Sequence, residues 1–155
     1  MNERIWLYVI SKELNAEQLQ KFKSNCQAFI DAWTSHNDKL DSSFEIHKNR
    51  ILVMKVDESD YNAGGCSIDT LHRFIKQQES EFGIELLNRL QVALEVNDEI
   101  MVVHSTKIKE LLSAGTISEN TTVYDISIST SEDLKNWKKT LRSTWLCKYL
   151  PSLSS

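Results

Sequence analysis

"ILVMKV", residues 51–56, is apolar on both sides of an extended chain, the pattern of a central strand rather than an edge. It sits inside "FEIHKNRILVMKVDE", residues 44–58. Phe44 and Ile46 alternate with polar residues, and Lys48–Asn49 supplies a turn, so the stretch is expected to form a β-hairpin. Upstream, "RIWLYVIS" has the length and the β-branched and aromatic content of a buried first strand. Between them lies a helix. Asn15 is its N-cap with Gln18 three residues on, Leu14 and Leu19 make a hydrophobic staple, and Leu19, Phe22, Cys26, Phe29 and Trp33 form an apolar stripe reaching to about His36. Cys26 lies inside that stripe and reads as a small core residue.

Downstream, "SDYNAGG" is a loop, and a second helix is expected from about Ser67 to Phe82, stopped by Gly83. Its buried stripe is Ile68, Leu71, Ile75 and Phe82. "LQVALEV" is a fourth strand. The order β-α-β-β-α-β is that of a ferredoxin-like sandwich, an antiparallel sheet with two helices on one face. A β-α-β-α extension follows. "NDE" is a turn and "IMVVHS" a strand. "KIKELLSAG" is a short helix closed by Gly115 with Ile117 as its apolar stop. "TTVYDISI" is a sixth strand with Tyr124, Ile126 and Ile128 on one face. A last helix opens at Thr130–Asp133 and carries Leu134, Trp137, Leu141 and Trp145. The fold class expected is therefore α+β, one domain over residues 1–155, with the serine-rich end frayed.

Composition narrows the function classes. With 18 Lys+Arg against 22 Asp+Glu the net charge is −4, which argues against nucleic acid as a partner. Lys135, Lys138, Lys139 and Arg142 crowd one segment, which reads as a solvated helix face. Cys26, Cys66 and Cys147 are widely spaced and His36, His47, His72 and His104 dispersed, so neither a disulfide framework nor a metal site is indicated. Arg50 opposite His47 reads as a solvated turn pair. No cofactor is expected. The apolar run "IWLYVI" is too short for a signal core or a bilayer span, so the expected location is the cytoplasm.

"NAGGCSIDTLHRFI", residues 62–75, is the best place for a site. Gly64 and Gly65 before a helix could cradle an anion, but Asp69 opposes one and the loop holds no lysine. Cys66 at a helix start is a candidate nucleophile or redox thiol. Asp69 and Arg73 share its side of the helix, whereas His72 is turned about 240° away. A histidine partner would have to be His36, His47 or His104. The structural reading assigns the glycines to positive φ, Cys66 or Ser67 to the helix cap, and Asp69 to the helix dipole. Trp137 and Trp145 are expected to cover the sheet or to anchor a homodimer.

The chain resembles a small family of uncharacterised bacterial proteins that carry the automatic label "ABC transporter ATPase". The resemblance rests on "AWTSH", on "FEIHKNRILVMKVDES", on "GCSID" and on the late tryptophans. The label does not fit these residues. No G-x-x-x-x-G-K-[ST] run exists to hold phosphates and magnesium, and the chain is too short for such a domain. The expected function is a non-catalytic binding or interaction protein; the alternative is a small cysteine-dependent enzyme or thiol redox protein centred on Cys66 and Asp69.

Overall fold

The structure, a computed structural model, describes residues 3–151. The serine-rich end expected to fray, 152–155, lies outside the described residues. Strand β1 (Glu3–Val9) leads to helix α1 (Ala16–Ala32). Asn15 and Gln18 form the expected capping box, with Asn15 Oδ1 accepting from the Gln18 N–H at 2.8 Å. The helix stops at Ala32, short of His36. His36 and Asn37 instead take the left-handed conformation in a tight turn joining β2 (Thr34–Ser35) to β3 (Asp38–Lys39). Strands β4 (Asp41–His47) and β5 (Ile51–Asp57) are the expected hairpin, with Lys48 and Asn49 both at positive φ as a type I′ turn needs. Helix α2 (Gly65–Phe82) ends on Gly83 at φ 61°.

The remaining strands are β6 (Gln91–Val96), β7 (Glu99–His104), β8 (Thr122–Tyr124) and β9 (Lys138–Thr140). Helix α3 (Ile108–Ser113) lies between β7 and β8. Gly115 at φ 76° and the amide of Thr116 on the Leu111 carbonyl close it, with Ile117 buried against the same cluster.

The strands form an antiparallel sheet β1-β5-β4, a second antiparallel sheet β7-β6-β8-β9, and the small β2-β3 ribbon. The molecule is α+β, as expected, but β6 does not complete a four-stranded ferredoxin-like sheet. The outer edge of β1 is taken by the segment after β8, where the Ile5 N–H donates to the Ser129 carbonyl at 2.9 Å. The physical reason lies in β5. Leu52, Met54 and Val56 pack under the two long helices with Phe22, Trp33, Leu71 and Ile75. Ile51 and Val53 are fully buried on the opposite face with Ile5, Leu7 and Val9. A two-layer sandwich would leave that second face in water. Ala93, Ile100, Tyr124 and Trp137 of the second sheet cover it. These make three layers, helices, sheet, sheet, and α3 with the last 3₁₀ turns closes the outer face of the second sheet over Val92, Leu94 and Val123.

Two further expectations are corrected. The strand over 121–128 ends at Tyr124, because Asp125 turns back to accept from the Ser127 amide at 2.9 Å and the Ser127 hydroxyl at 2.6 Å. Ile126 and Ile128 still reach the inter-sheet core. The last helix does not form. Residues Ser131–Asn136, Leu141–Ser143 and Trp145–Tyr149 are 3₁₀ turns, and β9 separates the first two. The Thr/Ser-rich "KKTLRST" favours extended and cap conformations, and pairing with β8 outweighs the four-residue apolar spacing. Trp137 is 8% exposed in the inter-sheet core, whereas Trp145 is 49% exposed. No helix among the described residues is long and apolar enough to cross a membrane.

Candidate functional site

The expected site at the start of α2 is placed as a structural joint. Gly64 is the N-cap at φ −85°, an extended conformation open to any residue, and no side chain caps the helix, so neither Cys66 nor Ser67 does so. The positive φ assigned to the glycines is absent there. Ser67 turns inward and its hydroxyl donates to the Thr34 carbonyl at 2.8 Å. The Trp33 indole N–H donates to the Ser67 carbonyl at 2.9 Å. These bonds tie the end of α1 to the beginning of α2.

Cys66, Asp69 and Arg73 do share one exposed face. Their hydrogen bonds run along the helix: Thr70 Oγ1 donates to the Cys66 carbonyl at 2.9 Å, and Arg73 donates to Thr70 at 3.2 Å. None of the expected histidine partners joins them. His36 is exposed in its turn, His104 accepts from the Thr106 amide as a cap, and His47 lies between the sheets. Cys26 is buried, and that burial pushes its thiol up to about 12, as suits a core residue.

The densest polar cluster is one the sequence did not announce. His47 ends β4, Tyr124 ends β8, Glu95 lies on β6 and Trp137 precedes β9. The three rings meet edge to face at 4.8–5.4 Å between centroids. The Tyr124 hydroxyl donates to Glu95 at 3.0 Å and stands 3.3 Å from His47 Nε2. Lys48 reaches Glu95 at 2.9 Å and Lys138 reaches it at 3.2 Å. Lys48 foremost, with Lys138 and the Tyr124 hydroxyl, holds the Glu95 carboxyl down to about 2 against the opposing effect of burial. Burial and then Lys48 and Lys138 push the His47 imidazole below its usual range. Burial and then Glu95 push the Tyr124 phenol up. Every member has a partner inside the cluster, so its chemistry is that of a clamp between the sheets. The reading of His47 and Arg50 as a solvated pair is corrected: Arg50 donates to the Ile10 and Ser11 carbonyls at 3.1–3.3 Å.

Both depressed groups give the clamp the same pH sign. Each binds a proton more readily in the unfolded chain, so its stabilisation is present above the unfolded pKa and is lost as pH falls. For His47 the loss begins near pH 6.5, and for Glu95 it runs from about 4.5 to about 2. Glu95→Gln is expected to cost about 1–2 kcal/mol at pH 7, a figure reduced for solvent screening. It should also flatten the decline of the urea midpoint below pH 4.5. An unchanged acid profile in this variant would refute the clamp.

A cleft opens where β8 leaves β6. Pairing between these strands covers only Leu94–Val123 and Glu95–Thr122. Beyond it Gln91, Val92 and Ala93 on one side and Tyr124, Asp125, Ile126 and Ser127 on the other enclose a cavity of about 430 Å³. Trp145, Thr144 and Ser143 form a further wall, with Arg89 and Lys139 completing it. Lys139 is ion-paired to Asp125. Burial raises the Asp125 carboxyl, but the bonds from Lys139 and Ser127 outweigh it and keep the group below its usual range. Arg89 is exposed and makes no ion pair within 4 Å among the described residues. The basic segment is solvated, as expected, but it is not a helix face: Lys135 lies in a 3₁₀ turn, Lys138 and Lys139 lie on β9, and each pairs with a carboxylate. Of the cleft residues, sequence points to Trp145 as an interface anchor, Tyr124 and Ile126 as a strand face and Lys139 as part of a basic run; the lining comes from four separate segments and forms no motif. Among the described residues no cluster of metal-ligating side chains is present.

Comparison of the chain with family models, with curated proteins and with solved structures finds no match.

Proposed function

We propose that this is a non-catalytic cytoplasmic binding protein, and that its ligand site is the cleft between β6 and β8. The observation that carries this reading is an exposed indole, Trp145, beside a walled apolar cavity that also holds polar groups. The alternative, thiol chemistry at Cys66, has less support, because a nucleophilic cysteine needs a base and a substrate pocket. Cys66 has Thr70 and Arg73 as helical neighbours on an open face.

The two readings separate by alkylation. Paired cysteine-to-serine variants leave either Cys66 or Cys147, the other exposed cysteine, as the single reactive thiol. Their rates at pH 7 are expected to agree within about threefold, since both thiols are exposed. A Cys66 rate more than about tenfold higher would overturn the binding reading in favour of thiol chemistry. A homodimer held by the C-terminal segment now rests on Trp145, since Trp137 is buried. Sedimentation velocity of wild type and Trp145→Ala tests it, and a monomer in both removes it.

A further inference from the structure

We propose that the β6–β8 cleft takes a flat, apolar ligand bearing a single carboxylate; this rests on the binding reading above and names its ligand class. Three features of the wall point the same way. Val92, Ala93, Val123 and Tyr124 line it where β6 and β8 part, and the indole of Trp145 stands half exposed beside them. An aromatic surface of that kind is matched by a planar partner. The volume of about 430 Å³ lies within the range of small-molecule sites and excludes a folded partner.

Charge then selects among planar ligands. Asp125 and Lys139 neutralise one another across the wall, leaving Arg89 as its unmatched charge. A guanidinium presents a planar fork of donors that fits a carboxylate bidentately. A phosphate monoester would present the same oxygens with nearly twice the charge, more than the single Arg89 guanidinium matches. A cation would meet Arg89 directly. The ligand class is therefore a monoanion.

The strand gap adds a polar rail. Between Gln91 and Ala93, β6 pairs with β7 on one side, while its pairing with β8 has already stopped. On this stretch the Gln91 N–H already donates to the Asn88 carbonyl at 3.2 Å, so the polar edge a ligand can use along β6 is confined to the short run beside Ala93.

The test is a titration series with four probes of one ring system: 2-naphthoate, 2-naphthalenemethanol, 2-naphthylmethylammonium and 2-naphthyl phosphate. Binding is read by isothermal calorimetry and by amide chemical shifts of Gln91–Ala93 and Asp125–Ser127. Naphthoate is expected to bind at least about tenfold more tightly than each of the other three, the worth of one charge-assisted bidentate contact. Arg89→Gln should erase that preference while leaving the alcohol's affinity unchanged. Trp145→Ala should weaken all four by a similar factor. Equal affinity for alcohol and carboxylate, with shifts still in the cleft, overturns the carboxylate assignment and leaves the binding reading standing. Tightest binding by the ammonium or the phosphate overturns it likewise. If no probe shifts the cleft amides at millimolar concentration, the cleft assignment itself falls, and the Cys66 alkylation rates then decide whether the binding reading falls with it.

Discussion

Val53→Asp is expected to yield no folded protein in near-ultraviolet circular dichroism at pH 7 and 25 °C. Val53 is fully buried on the face of β5 turned toward the second sheet. An ionised carboxylate there would have no partner, and the cost of several kcal/mol is comparable to the whole stability of a domain this size, about 5–15 kcal/mol. The graded version is Val53→Ala, for which a loss of about 2 kcal/mol by urea unfolding is expected from lost burial and the cavity left behind. Leu52→Asp, on the helix side of the same strand, should be equally destructive. The comparison is what matters. In a two-layer sandwich the two positions would differ sharply, because one face would be wet. A Val53→Asp protein that folds with less than about 1 kcal/mol lost, as a surface substitution would, contradicts the three-layer packing.

The second large effect belongs to Trp33. It is 2% exposed, packs against Trp6 at 5.8 Å and Phe29 at 5.1 Å between centroids, and bonds the Ser67 carbonyl. Trp33→Ala is expected to cost about 3–5 kcal/mol. Trp33→Phe keeps most of the packing but removes the indole donor from a carbonyl that the Leu71 amide still bonds within α2, so about 1 kcal/mol of the loss should remain. Cys66→Ser in the same helix turn should change the urea midpoint by no more than about 0.5 kcal/mol equivalent, since its side chain is exposed. If Cys66→Ser proved as damaging as Trp33→Phe, the view of this stretch as a joint made by Trp33 and Ser67 would be wrong.

Local features were legible in the sequence because their causes are local. The Asn15–Gln18 box, the Lys48–Asn49 turn and the Gly83 and Gly115 stops are each decided by residues within four positions of one another. The layer order was not legible, although its cause stood in "ILVMKV". Apolar residues on both sides of a strand say that two layers must cover it, but not which later segment supplies the second. The last helix does not form, although Leu134, Trp137, Leu141 and Trp145 have helical spacing, because each residue answers to a different neighbour. Trp137 goes to the inter-sheet core, Leu141 to the core under α3, and Trp145 to the cleft. The cleft was invisible for the same reason. Arg89, Asp125, Lys139 and Trp145 meet only because β8 parts from β6, and the cause of that parting is the Asp125 turn.

The two sheets are also drawn from consecutive stretches of chain, the first from residues 3–57 and the second from residues 91–140. During synthesis β1, α1, β4, β5 and α2 are complete before any strand of the second sheet has been made. The apolar face of Ile5, Leu7, Val9, Ile51 and Val53 must then wait for Ala93, Tyr124 and finally Trp137, a delay of a few seconds at ordinary elongation rates. A chain halted before Trp137 would carry that face uncovered, ready to meet another copy of itself. The burden of keeping the nascent protein soluble therefore falls on the ribosome-bound interval rather than on the finished fold.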